Sequence, residues 1–422
     1  MKKIGSRLAW LAVGASALAL AACGGGGGGM SAGMAADPPP APTPTPTPTP
    51  TATNYAVTNL VSDQANVAVT QDANLVDAWG IVFAPGAAVW VANNGTNTST
   101  LYDGNGVNQG LVVGIPPGTA TANIPGGTAN PTGVVFNGNT SGFMVTEGAK
   151  TGSASFIFDG EEGTISGWSQ QVDSVKAIKV VDNSAKGAVY KGLAIYTPAS
   201  GPSLLFAANF HAGTVDVFDS NFKPTTVANG FSDPTLPAGY APFGIQVINN
   251  MVYVAYAEQD TKDAPSAFNE VDGAGLGFVD EFDATGKFIR RFDNPGGNLD
   301  APWGVAIAPS GFGSLSGDLL IGNFGDGTIS AYDPNTGAFV GKLTGSNGSP
   351  VVLPGLWGIA FGNGSFNQPT TTLFFASGPN SESHGLYGRI DLPGTYAAPG
   401  SPPPPAPTPT PTPTPTPIPP GY

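Results

Sequence analysis

The sequence predicts an all-β fold, a six-bladed β-propeller made of four-stranded antiparallel blades. Three observations lead to this prediction: a unit of short apolar runs recurs six times, glycine is abundant while long helical patterns are absent, and the last unit lacks one strand. Repeated four-stranded antiparallel sheets form propellers, because a radial arrangement leaves only short, protected sheet edges.

Each unit opens with an apolar run that contains a shared glycine. The run reads "DAWGIVF", "NPTGVVF", "VYKGLAI", "APFGIQV", "APWGVAI" and "GLWGIAF". We expect this glycine to begin the innermost strand, where the strands crowd around the axis and a side chain would not fit. The six glycines are Gly80, Gly133, Gly192, Gly244, Gly304 and Gly358.

Two further runs complete each unit. The second run reads "AVWVANN", "GFMVTEG", "LLFAANF", "MVYVAYAE", "DLLIGNF" and "TLFFASG". The third run closes on an aspartate before a turn, and a fourth strand such as "GLVVGIP" or "FVGKLTG" follows. We expect the aspartates to cap their own turns and assign them no function. They recur at intervals of 50 to 64 residues, as Asp103, Asp159, Asp219, Asp283, Asp333 and Asp391.

The two ends of the repeat region predict how the ring closes. The sixth unit stops after "HGLYGRIDLPG" without a fourth strand, and the segment "NYAVTNLVSD" at residues 54–63 precedes the first unit. We expect this N-terminal strand to pair with residues 385–392 as the outer strand of the sixth blade. That pairing removes an open sheet edge.

The first residues of the chain are typical of an export signal. Three basic residues precede an apolar run at residues 8–20, which is too short to span a membrane. The run ends in Leu-Ala-Ala-Cys, which resembles the lipobox of bacterial lipoproteins. The resemblance implies cleavage before Cys23, lipid on its thiol and, with Gly24 where Asp would retain the protein in the inner membrane, an outer-membrane anchor. The alternative is an ordinary secretory signal with an incidental cysteine.

Composition divides the chain into four parts. Residues 1–22 are the predicted signal peptide, residues 23–53 a lipidated Gly/Pro/Thr-rich linker, residues 54–397 the propeller and residues 398–422 a Pro/Thr-rich tail. We expect the linker and the tail to be disordered, because neither can bury apolar surface. Cys23 is the only cysteine, so no disulfide forms within the chain.

The fifth unit carries a resemblance to a known repeat. The sequence "APWGVAIAPSG…GDLLIGNFGDGTISAYDPNTG" resembles the NHL repeat, in which Pro-x-Gly-[IV]-Ala is followed by a strand ending near Asn or Asp and a strand ending in aromatic-Asp. The chain as a whole resembles a family of exported bacterial propeller proteins, which implies architecture rather than activity. A more distant resemblance is to the gluconolactonase and calcium-dependent phosphotriesterase propellers. Those enzymes place a Glu, two Asn and an Asp around an axial Ca²⁺, whereas this chain has "DAWG" where the early Glu is expected and only Asn130 as a partial match.

The ends of the second strands supply the candidate binding residues. In a propeller these positions converge on one face near the axis, and Asn and Glu oxygens there could hold a hard cation such as Ca²⁺, with Glu147 and Glu258 as its acidic ligands. The alternative is that each Asn caps a turn. The candidate axial-face residues are Asn93, Glu147, Asn209, Glu258 and Asn323.

Other chemistry-bearing residues have simpler interpretations. His211 and His384 fall in turns of opposite blades, so we do not expect them to share a metal, and we assign no catalytic residue. Aromatic residues at the start of the first strands could stack on a sugar or an aromatic ligand, but more commonly pack between blades. They are Trp79, Phe243, Trp303 and Trp357, beside Asp77.

Charge and architecture together favour a binding protein. The formal net charge of −14 argues against nucleic acid as a partner, since nucleic-acid binding needs Lys and Arg. We expect a monomer held to the membrane by its N-terminal lipid, displayed at the cell surface or in the periplasm, which binds a protein, a glycan or a small molecule. The alternative is a Ca²⁺-dependent hydrolase or lactonase, for which the fold alone is only an analogy.

Overall fold

The structure, a computed structural model, describes residues 53–119, 127–260, 269–294 and 296–397. The predicted signal peptide, Cys23, the linker up to residue 52 and the tail from residue 398 lie outside the described residues. Within the described ranges no helix is long and apolar enough to cross a membrane. The helices found there are three 3₁₀ turns, at Asn94–Thr96, Ser184–Lys186 and Gly313–Leu315.

The first part of the chain forms two strands of the last blade and then blades one and two. These strands are β1 (Asn54–Ser62), β2 (Thr70–Gln71), β3 (Ala78–Phe83), β4 (Val89–Asn93), β5 (Thr98–Tyr102), β6 (Asn108–Gly114), β7 (Pro131–Phe136), β8 (Met144–Glu147), β9 (Lys150–Ser153), β10 (Phe156–Gly160), β11 (Thr164–Trp168) and β12 (Ile178–Asp182). Blade one has the order β3-β4-β5-β6 and blade two the order β7-β10-β11-β12, while β8 and β9 form a separate hairpin.

The rest of the chain forms blades three to six. Its strands are β13 (Tyr190–Tyr196), β14 (Leu204–Asn209), β15 (Thr214–Phe218), β16 (Pro224–Thr225), β17 (Tyr240–Ile248), β18 (Met251–Gln259), β19 (Glu270–Val271), β20 (Phe278–Asp283), β21 (Phe288–Phe292), β22 (Pro302–Ile307), β23 (Leu319–Asn323), β24 (Ile329–Tyr332), β25 (Phe339–Lys342), β26 (Thr344–Gly345), β27 (Leu356–Phe361), β28 (Leu373–Ser377) and β29 (Leu386–Asp391). Blade three is β13-β14-β15-β16, blade four β17-β18-β20-β21 and blade five β22-β23-β24-β25. The prediction of a six-bladed propeller with mostly four-stranded antiparallel blades is confirmed.

Blade six confirms the predicted closure of the ring. Its strand order is β2-β1-β29-β28-β27, so the N-terminal strand lies on the outside of the last three strands of the propeller. β1 runs antiparallel to β29, from Ala56 opposite Asp391 to Ser62 opposite Leu386. The strand is held by fully buried Leu60 and by Tyr55, whose hydroxyl donates a 2.6 Å hydrogen bond to the Phe312 carbonyl.

The shared glycines bring the inner strands into backbone contact around the axis. A Cβ on Gly80 would stand 2.6 Å from the carbonyl oxygen of Thr132, and one on Gly304 would stand 2.5 Å from that of Trp357. Gly358 closes the circle, because its Cβ would stand 2.7 Å from the carbonyl oxygen of Trp79 in blade one. A side chain at these positions would therefore push two neighbouring blades apart, as the sequence predicts.

The central strands are buried on both faces, which explains why their apolar runs are continuous rather than alternating. All five residues of β4, β23 and β28 are buried. One face of each strand packs on the preceding blade and the other on the next. The ring of Trp90 in blade one, for example, stacks on Phe156 of blade two with centroids 3.9 Å apart. The core thus consists of layers between blades.

Blade two departs from the predicted strand assignment. Its second strand is not "GFMVTEG" but β10, which pairs with β7 from Phe156 opposite Phe136 to Gly160 opposite Pro131. The segment with Glu147 is the inserted hairpin of β8 and β9. The error arose because the first strand of the hairpin has about the same length and apolar character as a second strand. Taking it for the second strand made β10 the third strand of the unit.

Four of the six repeated aspartates cap their turns as predicted. Their Oδ1 atoms accept hydrogen bonds from main-chain N–H groups two to four residues further on, in Asp103, Asp219, Asp283 and Asp333. The other two have different partners. Asp159 lies inside β10 and is buried, while Asp391 ends β29 and binds the guanidinium of Arg389.

Candidate functional site

The residue before each shared glycine reaches the axis, and aromatic residues dominate these positions. Trp79 and Trp357 stack with centroids 3.5 Å apart, and Trp303 meets both edge-on at 6.2 and 6.0 Å. Phe243 lies 5.5 Å from Trp357. We call these four residues the aromatic plug. Trp79, Phe243 and Trp357 are fully buried and Trp303 is half-buried, so the plug packs mainly against itself, which was the simpler of the two predicted uses.

The channel is nearly closed on the inner side of the plug. A cavity of about 20 Å³ lies there among the described residues, lined by the shared glycines Gly80, Gly133, Gly304 and Gly358. That volume suits a single water molecule. A ligand larger than water would therefore have to bind at one of the two ends of the axis.

Lys191 takes the axial position in blade three and is the cation that the described residues place at the plug. Its side chain is 3% exposed, and its Nζ lies 2.6 Å from Glu161 Oε1 and 3.5 Å from Glu270 Oε2. The ammonium also lies 5.1 Å from the centre of the Trp79 ring. Burial acts to lower the pKa of Lys191, but the two carboxylates outweigh it and the pKa is raised. Lys191 is therefore a fixed positive charge and not a base or nucleophile at neutral pH.

Amide side chains extend this ion pair around the axis. Asn130 Nδ2 donates to Asn94 Oδ1 at 2.9 Å, and Asn94 Nδ2 donates to Glu161 Oε2 at 3.2 Å. The indole N–H of Trp303 donates to the carbonyl oxygen of Lys191 at 2.7 Å. Blades one, two, three and five thus share one hydrogen-bonded network at this end of the axis.

A pair of carboxyl groups, Asp77 and Glu382, completes the same end. Asp77 immediately precedes β3 with a positive φ of 49° and is only 5% exposed. Glu382 lies in the turn after β28 and is half-buried. A Cβ on Gly378 would overlap Asp77 Oδ1 and stand 3.3 Å from Cγ of Glu382, so the backbone of Gly378 lies against both acids.

Both members of this pair are acids with raised pKa. Burial is the main cause for Asp77, the charge of Glu382 adds to it, and the indoles of Trp79 and Trp357 oppose it; the pKa lies well above its usual range. Burial also raises the pKa of Glu382 to about 7, with the charge of Glu270 adding to it and Lys191 opposing it.

The site also contains buried polar atoms that lack partners. Asp77 Oδ1 and the indole nitrogens of Trp79 and Trp357 make no hydrogen bond of good geometry among the described residues. The two indole N–H groups lie close enough to Asp77 to lower its pKa without forming well-aligned hydrogen bonds, so the buried Oδ1 keeps lone pairs for a further donor. We call this region the axial mouth; it comprises Asp77, Asn94, Asn130, Glu161, Lys191, Glu270 and Glu382.

The three predicted asparagines bond within their own blades instead of facing a ligand. Asn93 donates to the hydroxyls of Thr98 and Thr100 at 3.1 and 3.0 Å. All three asparagines end a strand, but the alternative that the side chain caps the following turn applies only to Asn209, whose Oδ1 accepts from the Ala212 N–H; the Asn93 side chain makes no such bond. Asn209 donates to Asp216 at 3.0 Å, and Asn323 accepts from the main-chain N–H of Asp300 at 3.1 Å.

The two predicted glutamates do not come together. Glu147 lies on the exposed hairpin of β8 and β9, which is inserted after β7 at the end of β7 opposite the axial mouth. Its Oε1 lies 3.7 Å from Nζ of Lys176. The expectation that Glu147 reaches the axial face was wrong, because it depended on taking β8 for a second strand. Glu258 does lie at the end of β18, but opposite Tyr240, whose raised pKa reflects burial and then the charge of Glu258.

A calcium site at these predicted positions does not fit the structure. Two of the amide oxygens are engaged inside separate blades, because Asn209 Oδ1 accepts from the Ala212 N–H and Asn323 Oδ1 accepts from the Asp300 N–H. Asn93 Oδ1 has no partner among the described residues, and Glu147 lies on the exposed hairpin. Within the residues that the structure describes, no group of three or more His, Asp or Glu side chains is arranged to hold a metal ion. We therefore assign no step to a metal.

Sequence reasoning missed most of the axial mouth. Lys191 stands in "VYKGLAI" where four of the other five units have an aromatic residue, and this charged exception was a usable signal. Glu161 in "FDGEEG" would have replaced Glu147 as a candidate had β10 been taken as the second strand. Glu270 begins the two-residue strand β19 and Glu382 lies in a loop; both lie outside the repeated pattern and give no signal of their own.

The two histidines occupy separate places. His211 follows β14 and lines a groove of about 430 Å³ with Asn183, Lys186 and Asp216. His384 precedes β29, and its Nδ1 lies 2.7 Å from Asp63 Oδ2, next to the strand that closes the ring. Both lie in turns after second strands, as the sequence indicates.

Comparison with known proteins finds relatives in a giant virus. No family model matches the chain. It is 34% identical over 346 residues to "Uncharacterized protein R648" of Acanthamoeba polyphaga mimivirus, covering 80% of each chain. It is 31% identical over 342 residues to "Uncharacterized protein L690" of the same virus, covering 80% of this chain and 85% of the relative.

Solved structures of similar shape are much more distant. A virginiamycin B lyase from Staphylococcus aureus shares 14% identity at a TM-score of 0.43, covering 80% of this chain and all of the lyase. A structure titled glucose dehydrogenase shares 11% identity at a TM-score of 0.44, covering 79% of this chain and 98% of the other. At these values neither likeness bears on activity.

Proposed function

The chain belongs to the same protein family as the mimivirus proteins R648 and L690, and on that premise we propose that it is a binding protein whose ligand site is the axial mouth. The observation that carries the proposal is the group of three unpaired buried polar atoms, on Asp77, Trp79 and Trp357. An unpaired buried donor or acceptor costs roughly 1–3 kcal/mol, and a ligand that pairs with these atoms would recover that free energy.

The shape of the site also supports binding. Its side chains come from five of the six blades, and each is fixed by the strand or turn that carries it. The polar groups stand over the aromatic plug, which closes the bottom of the site. A few convergent polar groups above an apolar floor are the usual composition of a small-ligand site.

Catalysis is less well supported than binding. Lys191 is held as a cation by Glu161 and Glu270, so it supplies neither a base nor a nucleophile. No hydroxyl or thiol group in the axial mouth is paired with a base. We therefore propose a role in recognition.

One observation favours a hydrolase as the second candidate. Asp77 and Glu382 are neighbouring carboxyl groups with raised pKa, an arrangement that some hydrolases use for acid–base chemistry. A screen of lactones, phosphotriesters and aryl esters, with and without Ca²⁺, separates the two candidates. Turnover that is lost in Glu382→Gln and kept in the matched variant Glu147→Gln would make the protein a hydrolase.

The binding proposal is tested by titrating the purified propeller with a ligand library. Trp79, Trp303 and Trp357 lie in or beside the site, so their fluorescence should change when a ligand binds. A true ligand should also raise the melting temperature, and Asp77→Asn should weaken both effects while Glu147→Gln leaves them unchanged. If every ligand found binds equally well to the Asp77→Asn variant, the axial mouth is not the site.

We also propose that the protein acts as a monomer tethered to the outer membrane of a bacterial envelope. The support is the lipobox-like sequence that ends at Cys23 and the Pro/Thr-rich linker after it. Labelled fatty acid should enter the wild-type protein and not the Cys23→Ser variant. Absence of label from the wild type would leave an ordinary secretory signal as the better interpretation.

A further inference from the structure

We propose that the ligand of the axial mouth carries a positively charged nitrogen, an ammonium or guanidinium group, that pairs with Asp77 and Glu382. This inference rests on the proposed binding function and names the chemical class of its ligand. Two observations carry it, the balance of charges and the unpaired buried atoms, and the coupling to protons gives it a test.

The balance of charges at the axial mouth is incomplete. Four acids face one another there, and among the residues that the structure describes Lys191 is the cation that contacts them. The ammonium of Lys191 forms its ion pairs with Glu161 and Glu270. Within the residues that the structure describes, neither Asp77 nor Glu382 lies within 4.0 Å of a Lys, Arg or His nitrogen. When Asp77 and Glu382 are both ionised, one further positive charge would balance the described groups of the site.

The unpaired atoms identify where that charge would bind. Asp77 is more than nine-tenths buried, yet its Oδ1 accepts no hydrogen bond. The unpaired indole N–H groups of Trp79 and Trp357 are donors and lie close enough to act on its pKa. An ionised carboxylate only accepts and offers about four lone-pair sites, so it can serve both indoles and a ligand donor together. A cationic donor is the group that would keep Asp77 ionised in this buried place.

Protons provide a measurable signature of this ligand class. In the free site, the raised pKa values of Asp77 and Glu382 mean that protons are bound near neutral pH. The charged groups around them are Glu161, Glu270 and Lys191, of which only Lys191 favours ionisation. A cation would bind the ionised pair, so its affinity should rise as pH increases through about 7 and protons should be released. A neutral or anionic ligand would favour the protonated site and bind better at lower pH.

Isothermal titration calorimetry in two buffers of different ionisation enthalpy measures both affinity and proton release. The probes are cadaverine and Nα-acetyl-arginine amide as cations, glutarate as an anion and glucose as a neutral comparator. We expect the cations to bind with net proton release near neutral pH. We expect at least about a tenfold loss of affinity in Glu382→Gln, which removes the ionised form of one partner. Asp77→Asn tests the second partner, and Glu147→Gln is the matched control with the same charge change on an exposed hairpin.

The outcomes separate this inference from the proposed function. Cation binding that is equally weak in all three variants would indicate attraction to a chain of net charge −14 and would overturn the inference. Glutarate or glucose binding that is lost in Asp77→Asn would overturn the inference and leave the axial mouth as the binding site. Failure of both cations to bind wild-type protein would overturn the inference, whatever the library screen finds.

Discussion

The buried carboxyl group of Asp159 should make the stability of the propeller depend on pH. Asp159 is 1% exposed, and its Oδ1 accepts hydrogen bonds from the Thr132 hydroxyl at 2.9 Å and the Gly133 N–H at 2.7 Å. Its Oδ2 has no partner among the described residues. Burial raises its pKa from 3.8 to about 7, and the two hydrogen bonds only partly oppose this. The perturbation is Asp159→Asn, which keeps the acceptor oxygen and removes the titration.

The sign and size follow from linkage. Because the folded protein holds a proton that the unfolded chain has lost, the free energy of unfolding falls as pH rises between about 4 and about 7. The slope is about 1.4 kcal/mol per pH unit, so from pH 5 to pH 8 wild type should lose about 3 kcal/mol relative to Asp159→Asn. Asp280, whose pKa burial also raises to about 7, is present in both proteins, so its contribution cancels in the comparison.

Urea unfolding at pH 5 and pH 8, at constant ionic strength, measures the difference. Asp219→Asn is the control with the opposite sign. The slight burial of Asp219 is outweighed by hydrogen bonds from the N–H groups of Lys223 and Asn221, which lower its pKa. Its loss should reduce stability at both pH values without the trend expected for Asp159. If wild type and Asp159→Asn differ by the same amount at both pH values, Asp159 does not take up a proton on folding and the reasoning fails.

Three further predictions concern the ring and its axis. Leu60→Ala in β1 should lower the free energy of unfolding by about 2–5 kcal/mol, and deletion of residues 54–63 should destabilise all six blades; a truncated domain that melts at the wild-type temperature would contradict the closure. Lys191→Met should cost about 3–5 kcal/mol in urea unfolding because it leaves two buried acids facing each other, and adding Glu161→Gln should restore part of that loss; an additive double mutant would show that the pair is not coupled. Gly304→Ala should cost about 1–3 kcal/mol by calorimetry, since its Cβ would stand 2.5 Å from a carbonyl oxygen; an unchanged melting temperature would mean that the ring can widen.

The fold could be predicted because its signals are local and repeated. The glycine of the first strand is required by geometry in each blade, and the aspartate caps its turn in four of the six units, so both recur at similar intervals. The closing strand could be inferred by counting strands, because the sixth unit lacked its fourth strand and the segment at residues 54–63 belonged to no unit. The exception, the hairpin of β8 and β9, shows the weakness of this reasoning, since a short apolar run with a turn has the same pattern in a blade or in an insertion.

For the axial mouth, the sequence indicated the end of the propeller axis at which it lies but not most of its residues. The ends of the second strands do lie around the axial mouth, but strand-end asparagines such as Asn93 bond to neighbouring hydroxyls. The residues that meet there, including Glu161 and Glu382, occupy loop positions one to five residues beyond the strands. Their convergence depends on loop conformations, for example the positive φ of 63° at Glu382, which no periodic pattern encodes. The exception that could be detected was Lys191, the charged residue at a position that is aromatic in four of the other five units.

The glycine circle has a consequence for how such a protein can change over evolution. The diameter of the ring is set by one backbone resting on the next, so it does not depend on the size of the residue before each glycine. Those preceding residues already include tryptophan, threonine, lysine and phenylalanine. Adjacent residues therefore have separate roles. The glycine, which is the same in all six units, sets the geometry of the ring, and the residue before it, which differs between units, sets the chemistry at the axis. A new binding preference could arise by exchanging axial residues alone, with the surrounding blades left as they are.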